Sequence, residues 1–402
     1  MRIAHFIHRY PPAVGGAEAY FARLSAHLAA HGHEVHVFTS DALDLEAFWD
    51  KRGRRSPPGT ETTDGVAVHR LPLWHFPLGH RYLMKLLSLL PWGRAWTKPF
   101  NPVVPGMRRV RERFDLVHAG CFPYSYPLMA ARGLARRLGV PFFLTPFVHT
   151  GDPRGAYTTP ELLALARSAD RVFVQTEGER RALPGARCVM QGMGVDPASC
   201  TGGRRAWAEG EVVIGHLANL SRAKGTIDLC LAMDRVWERG SRARLVLAGP
   251  SMPEFRRFRA GWTPKGRLSE LGVLDEQGKR DFFAGLDVFA LPSVSDSFGL
   301  VLPEAWANGA ACVVYDAGGP PWVVRDGVDG LATPCRVEVL AEALARLVED
   351  EELRRRMGEA GRARLGEFDW EEKLGLVERE MLTAAAPRGT IGPSPPTPGA
   401  DP

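Results

Sequence analysis

The feature that most constrains this chain is an alternation that runs, stops and restarts. Short runs rich in β-branched and aromatic residues read as strands: "RIAHFI" (2–7), "EVHVFT" (34–39), "DLVHAG" (115–120), "FFLTPF" (142–147) and "RVFVQT" (171–176). Helical patterns lie between them. Ala17 to His31 puts Phe21, Leu24 and Leu28 on one face, with Gly32 as the stop. A polar, glycine-rich stretch, "QGMGVDPASCTGGRRAWAEGE" (191–211), has turn chemistry without periodicity and reads as a linker. The pattern then begins again with strands "VVIGHL" (212–217), "RLVLAG" (244–249), "DVFALPS" (287–293) and "ACVVYD" (311–316). Helices are expected over Thr226–Arg239, 301–309, 338–348 and 351–365. Strands joined through helices run parallel, because only a long crossover brings the chain back in the same direction. A chain of 402 residues exceeds one ordinary core. The reading is therefore α/β: two doubly wound domains, 1–192 and 193–367, with a cleft between them. Ligands of such sheets bind beyond the carboxyl ends of the strands.

Composition narrows the function classes. Lys and Arg number 51 against 46 Asp and Glu, a net charge of +5. That mild excess favours phosphates or an anionic surface and gives no reason to expect nucleic acid. The six cysteines, at 121, 188, 200, 230, 312 and 335, form no CxxC pair and fit no zinc pattern. They read as scattered thiols in a reducing compartment. "MRIAHFIHRYPP" is too short for a signal segment, and no run reaches the ~18 apolar residues of a membrane span. A cytoplasmic protein is expected. The stretch "APRGTIGPSPPTPGADP" (386–402) reads as disordered.

Three loops carry anion chemistry. "HLANLSRAKGTIDLC" (216–230) passes from a strand through a polar loop into a helix that opens near Gly225, with Lys224 and Arg222 beside the opening. Helix-end amides and a lysine together suit an anion, although a solvated basic loop has the same appearance. "YDAGGPPWVV" (315–324) sets Gly318-Gly319 directly after a strand, and "HRYPPAVGGAEAY" sets Gly15-Gly16 in the same position. Neither the GxxxxGK[ST] loop nor the GxGxxG fingerprint is present, and there is no Asp-x-Asp pair for a metal-bound nucleotide. No metal or cofactor is expected. In "LPSVSDSFGLVLPEAWANGA", Asp296 and Glu304 stand eight residues apart, one in a loop and one in a helix. Two carboxylates so placed suit a ligand rich in hydroxyls; alone, each is equally a loop cap or a helix-terminal acid.

The run "PSVSDSFGLVLPEAWANGAACVVYDAGGPPWVVRDGVDGL" resembles the signature region of glycosyltransferase family 4, the retaining GT-B enzymes. "PPAVGGAEAYFARLSAHLAAHGHEVHVFT", "GMGVD" and "ANLSRAKG" match the same family in the same order, up to about residue 385. The resemblance implies a GT-B fold, two Rossmann-like domains facing a central cleft, and a last helix over 368–385, begun by Trp370, that packs back on the first domain. It implies transfer of a sugar from a UDP- or GDP-linked donor to an acceptor hydroxyl. Glu304 would hold the ribose and Asp296, where the family has Glu, the donor sugar. Lys224 would hold the diphosphate. The family's phosphate-binding Arg falls on Asn219, with Arg222 as a neighbouring substitute. Ser297, Phe298, Gly299, Leu300, Gly318, Gly319, Gly15 and Gly16 would line the donor site, and Trp322 stands where an acid often follows the glycine pair. His149 would be the histidine beside the transferred sugar. Thr150, Asp152, Arg154 and Tyr157 would face the acceptor, with His118 a second histidine there. His149, Asp296 and Lys224 are the catalytic candidates.

Residues 80–113 mix apolar and aromatic residues with eight basic ones and the single acid Glu112. This suits either a helical subdomain with a solvated basic face or a peripheral contact with the inner membrane face and a glycan or lipid-linked acceptor. Cell-envelope polysaccharide or glycolipid synthesis is the expected setting. A phosphorylase, a sugar-nucleotide epimerase or a non-catalytic partner subunit would share the fold.

Overall fold

The computed structural model describes residues 1–75, 86, 102–152, 155–208 and 210–385. The first sheet contains β1 (Arg2–Phe6), β2 (Glu34–Ser40), β3 (Gly59–Thr63), β4 (Val66–Leu71), β5 (Leu116–Gly120), β6 (Phe142–Thr145), β7 (Arg171–Val174) and β8 (Cys188–Met190). Its order is β3-β4-β2-β1-β5-β6-β7-β8, parallel except for β3. The helices beside it are α1 (Gly16–Ala30), α2 (Ser125–Leu138), α3 (Pro160–Ser168) and α4 (Glu177–Ala182). The second sheet is parallel, in the order β11-β10-β9-β12-β13-β14: β9 (Val213–Leu217), β10 (Arg244–Ala248), β11 (Arg267–Gly272), β12 (Val288–Leu291), β13 (Ala311–Tyr315) and β14 (Gly330–Thr333). Its helices are α5 (Thr226–Glu238), α6 (Pro253–Gly261), α7 (Glu276–Ala284), α8 (Val301–Ala307), α9 (Val337–Glu349) and α10 (Glu351–Ala363). A final helix, α11 (Trp370–Ala385), follows.

The central strands explain the apolar runs. β5, β6, β12 and β13 are buried at every position, as parallel strands covered on both faces must be. Of the strands the sequence reading did not mark, β3, β8, β11 and β14 lie at sheet edges, and β4, an alternating "VAVHRL", lies inside the first sheet between β3 and β2. β3, "GTETT", is exposed throughout, and β11, "RLSELG", is exposed or half-exposed, so neither carries an apolar pattern. Strand ends are trimmed by proline. β12 stops at Leu291 before Pro292 and β6 at Thr145 before Pro146, because proline has no N–H for the ladder. Just beyond β5 and β6 the backbone enters the left-handed region at non-glycine residues: Cys121 has φ 76° and Phe147 φ 51°.

The chain crosses between the sheets twice, and the crossings are paired. The Val195 amide donates to the Phe368 carbonyl at 2.8 Å, and Val195 lies parallel to Asp369. Gly194 packs against Trp370, where a Cβ would come within 2.3 Å of the ring. After this second crossing α11 runs along the first domain. Trp370 takes the Arg23 guanidinium over its ring at 5.4 Å, and Glu380 accepts from Arg171 at 2.8 Å.

Of the basic segment 80–113, residues 80–85 and 87–101 lie outside the described residues, as does the tail 386–402. The described part is anchored on the first domain: Val104 and Met107 are buried and Arg108 stacks over Tyr126 at 4.8 Å. Among the described residues no helix is long and apolar enough to cross a membrane.

Candidate functional site

Each sheet has a point where strand order reverses, between β1 and β5 and between β9 and β12. The loops leaving β9 and β12 flank the second reversal. The first carries Lys224 and the second Asp296, so topology alone brings these two side chains together. Lys224 Nζ donates to Asp296 Oδ2 at 2.7 Å and to the Ser295 carbonyl at 3.4 Å. The sequence reading gave Lys224 the diphosphate and Asp296 the donor sugar; the structure makes the two an ion pair. Burial disfavours the Asp296 carboxylate, but the Lys224 charge, then His149, and hydrogen bonds from Lys224 and the Phe298 amide hold its pKa below the ordinary value. The pair stands before α5, whose first residue follows Gly225 in the left-handed region (φ 72°). A Cβ on Gly225 would lie 1.8 Å from the Pro292 carbonyl oxygen, so glycine is required where these loops touch.

The facing wall comes from the first domain. His149 follows β6; its Nδ1 lies 3.1 Å from Ser295 Oγ across the cleft, and its ring stacks on Tyr157 at 4.6 Å. Burial first, and the Lys224 charge second, push its pKa down to about 4, so the imidazole is neutral at neutral pH. Gly151 meets the second domain more closely still: a Cβ there would lie 1.8 Å from the Val294 carbonyl oxygen and 3.2 Å from the Gly318 amide nitrogen. Gly16 faces Leu300, 3.6 Å from where its Cβ would be. A half-open cavity of about 220 Å³ lies beside these contacts, lined by Gly16, Met193, Lys224, Asp296 and the 297–301 stretch; His149 and Gly151 stand next to it, behind Lys224, Asp296 and Ser295, and do not line it. Larger grooves, about 710 and 510 Å³, lie elsewhere, one around Met1 and Asp115 and one around Arg239 and Glu349.

Glu304, on α8, does not line that cavity. One carboxylate oxygen accepts from Lys279 at 2.6 Å; the other is buried with no hydrogen-bond partner. Burial raises its pKa, against the opposing charge of Lys279. An acceptor oxygen left this way is suited to a hydroxyl donor. Gly318 and Gly319 pack on the 296–298 backbone: the Gly319 amide donates to the Asp296 carbonyl at 2.8 Å, and a Cβ on Gly319 would lie 1.9 Å from the Ser297 carbonyl oxygen. Their demand for glycine is thus set by the neighbouring loop. Trp322 leaves the cavity and reaches across to the first domain, against Gly178 and under Arg181 at 4.8 Å.

Other candidates are not brought to the cavity. His118 is a correction: it is wholly buried within β5, bonded to Thr145 Oγ1 at 2.8 Å and packed on His5 and Phe21, so it is a core histidine. Asn219 and Arg222 are exposed, and the Arg222 amide donates to Glu254 at 3.0 Å. Asp152 accepts from the Ala156 amide at 2.9 Å and shapes its own loop, beside exposed Thr150. Arg154 lies outside the described residues. Gly15 sits over a group the sequence reading passed by. Glu18 is buried, paired with Arg9 at 2.6 Å and His8 at 3.3 Å, and a Cβ on Gly15 would lie 2.1 Å from its carboxylate. Gly151, Ser295, Lys279 and Glu18 were all missed. Ser295 and Glu18 lie inside the quoted stretches "LPSVSDSFGL" and "HRYPPAVGGAEAY" and Gly151 follows Thr150, whereas Lys279 lies in no such stretch.

Neutral burial of histidines sets an acid limit. His5, His149 and His216 have pKa values pushed down, chiefly by burial, to about 3, 4 and 4. Below pH ~6.5 the unfolded chain takes up these protons and the folded one does not, so stability falls as pH drops toward 4. Buried Glu179, raised to about 7, offsets one of the three, since it is neutral in the fold while still charged in the unfolded chain. The melting temperature is therefore expected to be lower at pH 5 than at pH 7.5, and calorimetry at the two values checks it.

Comparison with known proteins covers both halves. The family model described as "Glycosyl transferase 4-like domain" matches residues 15–190, and "Glycosyl transferases group 1" matches 203–364. A D-inositol 3-phosphate glycosyltransferase from Saccharomonospora viridis is 29% identical over 94% of this chain and 91% of its own length. A sucrose-phosphate synthase from Thermosynechococcus elongatus superposes with TM-score 0.73 at 22% identity, over 95% of this chain and 99% of that one. Anabaena HepE, in complex with UDP, gives TM-score 0.68 at 16% identity over 95% and 100%.

Proposed function

The chain belongs to the family 4 glycosyltransferases of GT-B fold, and we propose that it moves a sugar, with retention, from a UDP- or GDP-linked donor to an acceptor hydroxyl. The observation that carries the donor assignment is the Lys224–Asp296 pair at the mouth of α5, in a cavity lined from both domains and with neutral His149 beside it.

The bond between the anomeric carbon and the β-phosphate oxygen breaks, and its electron pair stays on the phosphate. Lys224 and the α5 amides stabilise that growing charge. The acceptor oxygen forms the new bond to the anomeric carbon, and its proton passes to the departing phosphate. Asp296 is the one carboxylate in the cavity lining among the described residues, and Lys224 engages it, so no free carboxylate stands there to serve as the base of an inverting transfer. Glu304, through its unpartnered oxygen, takes the ribose hydroxyls. Neutral His149 serves as a hydrogen-bonding group at the sugar. The cavity, about 220 Å³ and half open, is smaller than the roughly 300–1,000 Å³ of small-molecule sites; in this reading the domains part to admit the donor and close for reaction.

The acceptor in this reading is a glycan or lipid-linked hydroxyl in cell-envelope polysaccharide or glycolipid synthesis. The inositol phosphate named for the Saccharomonospora relative supports a hydroxyl-rich acceptor. A panel of UDP- and GDP-sugars, assayed for hydrolysis and transfer with the anomeric configuration read by NMR, tests the reaction class. In the same assay Asp296→Glu keeps measurable activity or shifts donor preference, and Asp296→Ala loses at least about 10²-fold. Full activity in Asp296→Ala would reduce Asp296 to a loop cap.

A further inference from the structure

A cluster remote from the cleft has the chemistry of a metal site. His27 and His31 lie one turn apart near the end of α1, and α11 brings Glu378 against both. Glu378 Oε2 is 3.2 Å from His27 Nε2 and 2.7 Å from His31 Nδ1. Its other oxygen, Oε1, is 3.0 Å from His33 Nε2, which fixes the carboxylate's orientation. One nitrogen from each of His27 and His31 and one Glu378 oxygen lie within 4.8 Å of one another. Bonds of about 2.0–2.2 Å to a central ion set ligand atoms about 3.5 Å apart in a tetrahedral site; the 3.2 Å separation from His27 is near that, and the 2.7 Å separation from His31 has to open to admit the ion.

Both ring nitrogens of His27 face carboxylates, the placement of a ligand held by an orienting acid. His27 Nδ1 lies 3.4 Å from Glu371 and His27 Nε2 lies 3.2 Å from Glu378. A neutral imidazole carries one N–H and can satisfy only one of them. Glu371 accepting from Nδ1 would leave the Nε2 lone pair aimed at the metal, the carboxylate–histidine–metal arrangement. The two carboxylates supply negative charge, and His31, 47% exposed, gives solvent access.

We propose that His27, His31 and Glu378 bind a divalent transition-metal ion such as Zn²⁺, with His33 and Glu371 orienting the ligands and water completing the shell. Because α11 follows the second interdomain crossing, the ion staples the end of the chain to the first domain. This site is separate from the donor cavity and holds whatever that cavity binds.

The test uses the full-length protein, stripped with chelator, titrated with ZnCl₂ and separately with MgCl₂. The expected result is one Zn²⁺ per chain with micromolar or tighter affinity and a melting temperature raised by about 3 °C, with no response to Mg²⁺. Affinity drops at least about 10-fold in His31→Ala and in Glu378→Gln and is unchanged in His69→Ala, which alters the His36–His69 pair on the first sheet. Hydrogen exchange within 370–385 slows on adding Zn²⁺ to the parent. The proposal is overturned by the absence of Zn²⁺ binding, the result if His27 is simply protonated, or by binding that survives both His31→Ala and Glu378→Gln.

Discussion

Lys224→Ala is expected to lower kcat about 10²–10³-fold, the scale for removing one preorganised group that stabilises developing charge. The lysine does two things, and the variant removes both. It offers a cation to the leaving diphosphate, and it neutralises Asp296, from which it is 2.7 Å away with both side chains mostly buried. Losing it leaves a carboxylate in a poorly solvated pocket, which destabilises the fold as well. The effects separate in the double variant Lys224→Ala/Asp296→Asn. There the orphan charge is gone, so melting temperature recovers toward the parent while kcat stays low. Lys224→Arg keeps the charge and should hold more activity than Lys224→Ala. Kinetics and melting curves on the four proteins check this. Recovery of kcat in the double variant would show that Lys224 only stabilises the loop.

Gly151→Ala is expected to cost at least about 10-fold in kcat while leaving nucleotide affinity within a few-fold and melting temperature nearly unchanged. The added methyl would sit 1.8 Å from the Val294 carbonyl oxygen, a backbone atom of the other domain, and 3.2 Å from the Gly318 amide. Neither can rotate away as a side chain would, so the whole domain has to stand off. His149 then loses its 3.1 Å approach to Ser295 and the two walls of the cavity misalign. Each domain's own core is untouched, which is why stability is spared. Steady-state kinetics beside nucleotide titration reads the split. An equal fall in affinity would place Gly151 in donor binding itself.

The alternation of strands and helices was legible because central parallel strands are buried on both faces and must be continuously apolar: β5, β6, β12 and β13 all read that way. The edge strands β3 and β11 were not, since solvent on them removes the pattern. The site was legible where a motif is local. Lys224, Asp296 and His149 each sit in a loop that leaves a strand, and topology brings them together; Glu304, on α8, stands outside the cavity. It was illegible where partners come from afar. Ser295 is 146 residues from His149 and Lys279 is 25 from Glu304, so no spacing announces them. His118 shows the opposite failure: a histidine in an apolar run looked like a ligand contact and is a core residue held by Thr145. Gly318-Gly319 was read for the approach of a ligand, and the close approach is that of the 296–298 backbone.

The central claim is that the Lys224–Asp296–Glu304 region between the domains is a nucleotide-sugar site. Calorimetric titration of UDP, GDP and inorganic phosphate into the parent protein, Lys224→Ala and Glu304→Ala tests it most directly. The predicted result is that one of the two nucleotides binds the parent, phosphate alone does not, and both substitutions weaken nucleotide binding at least about 10-fold, as expected when a charged hydrogen-bonding partner is removed. Nucleotide binding unchanged in both variants, or phosphate binding without nucleotide binding, would contradict it.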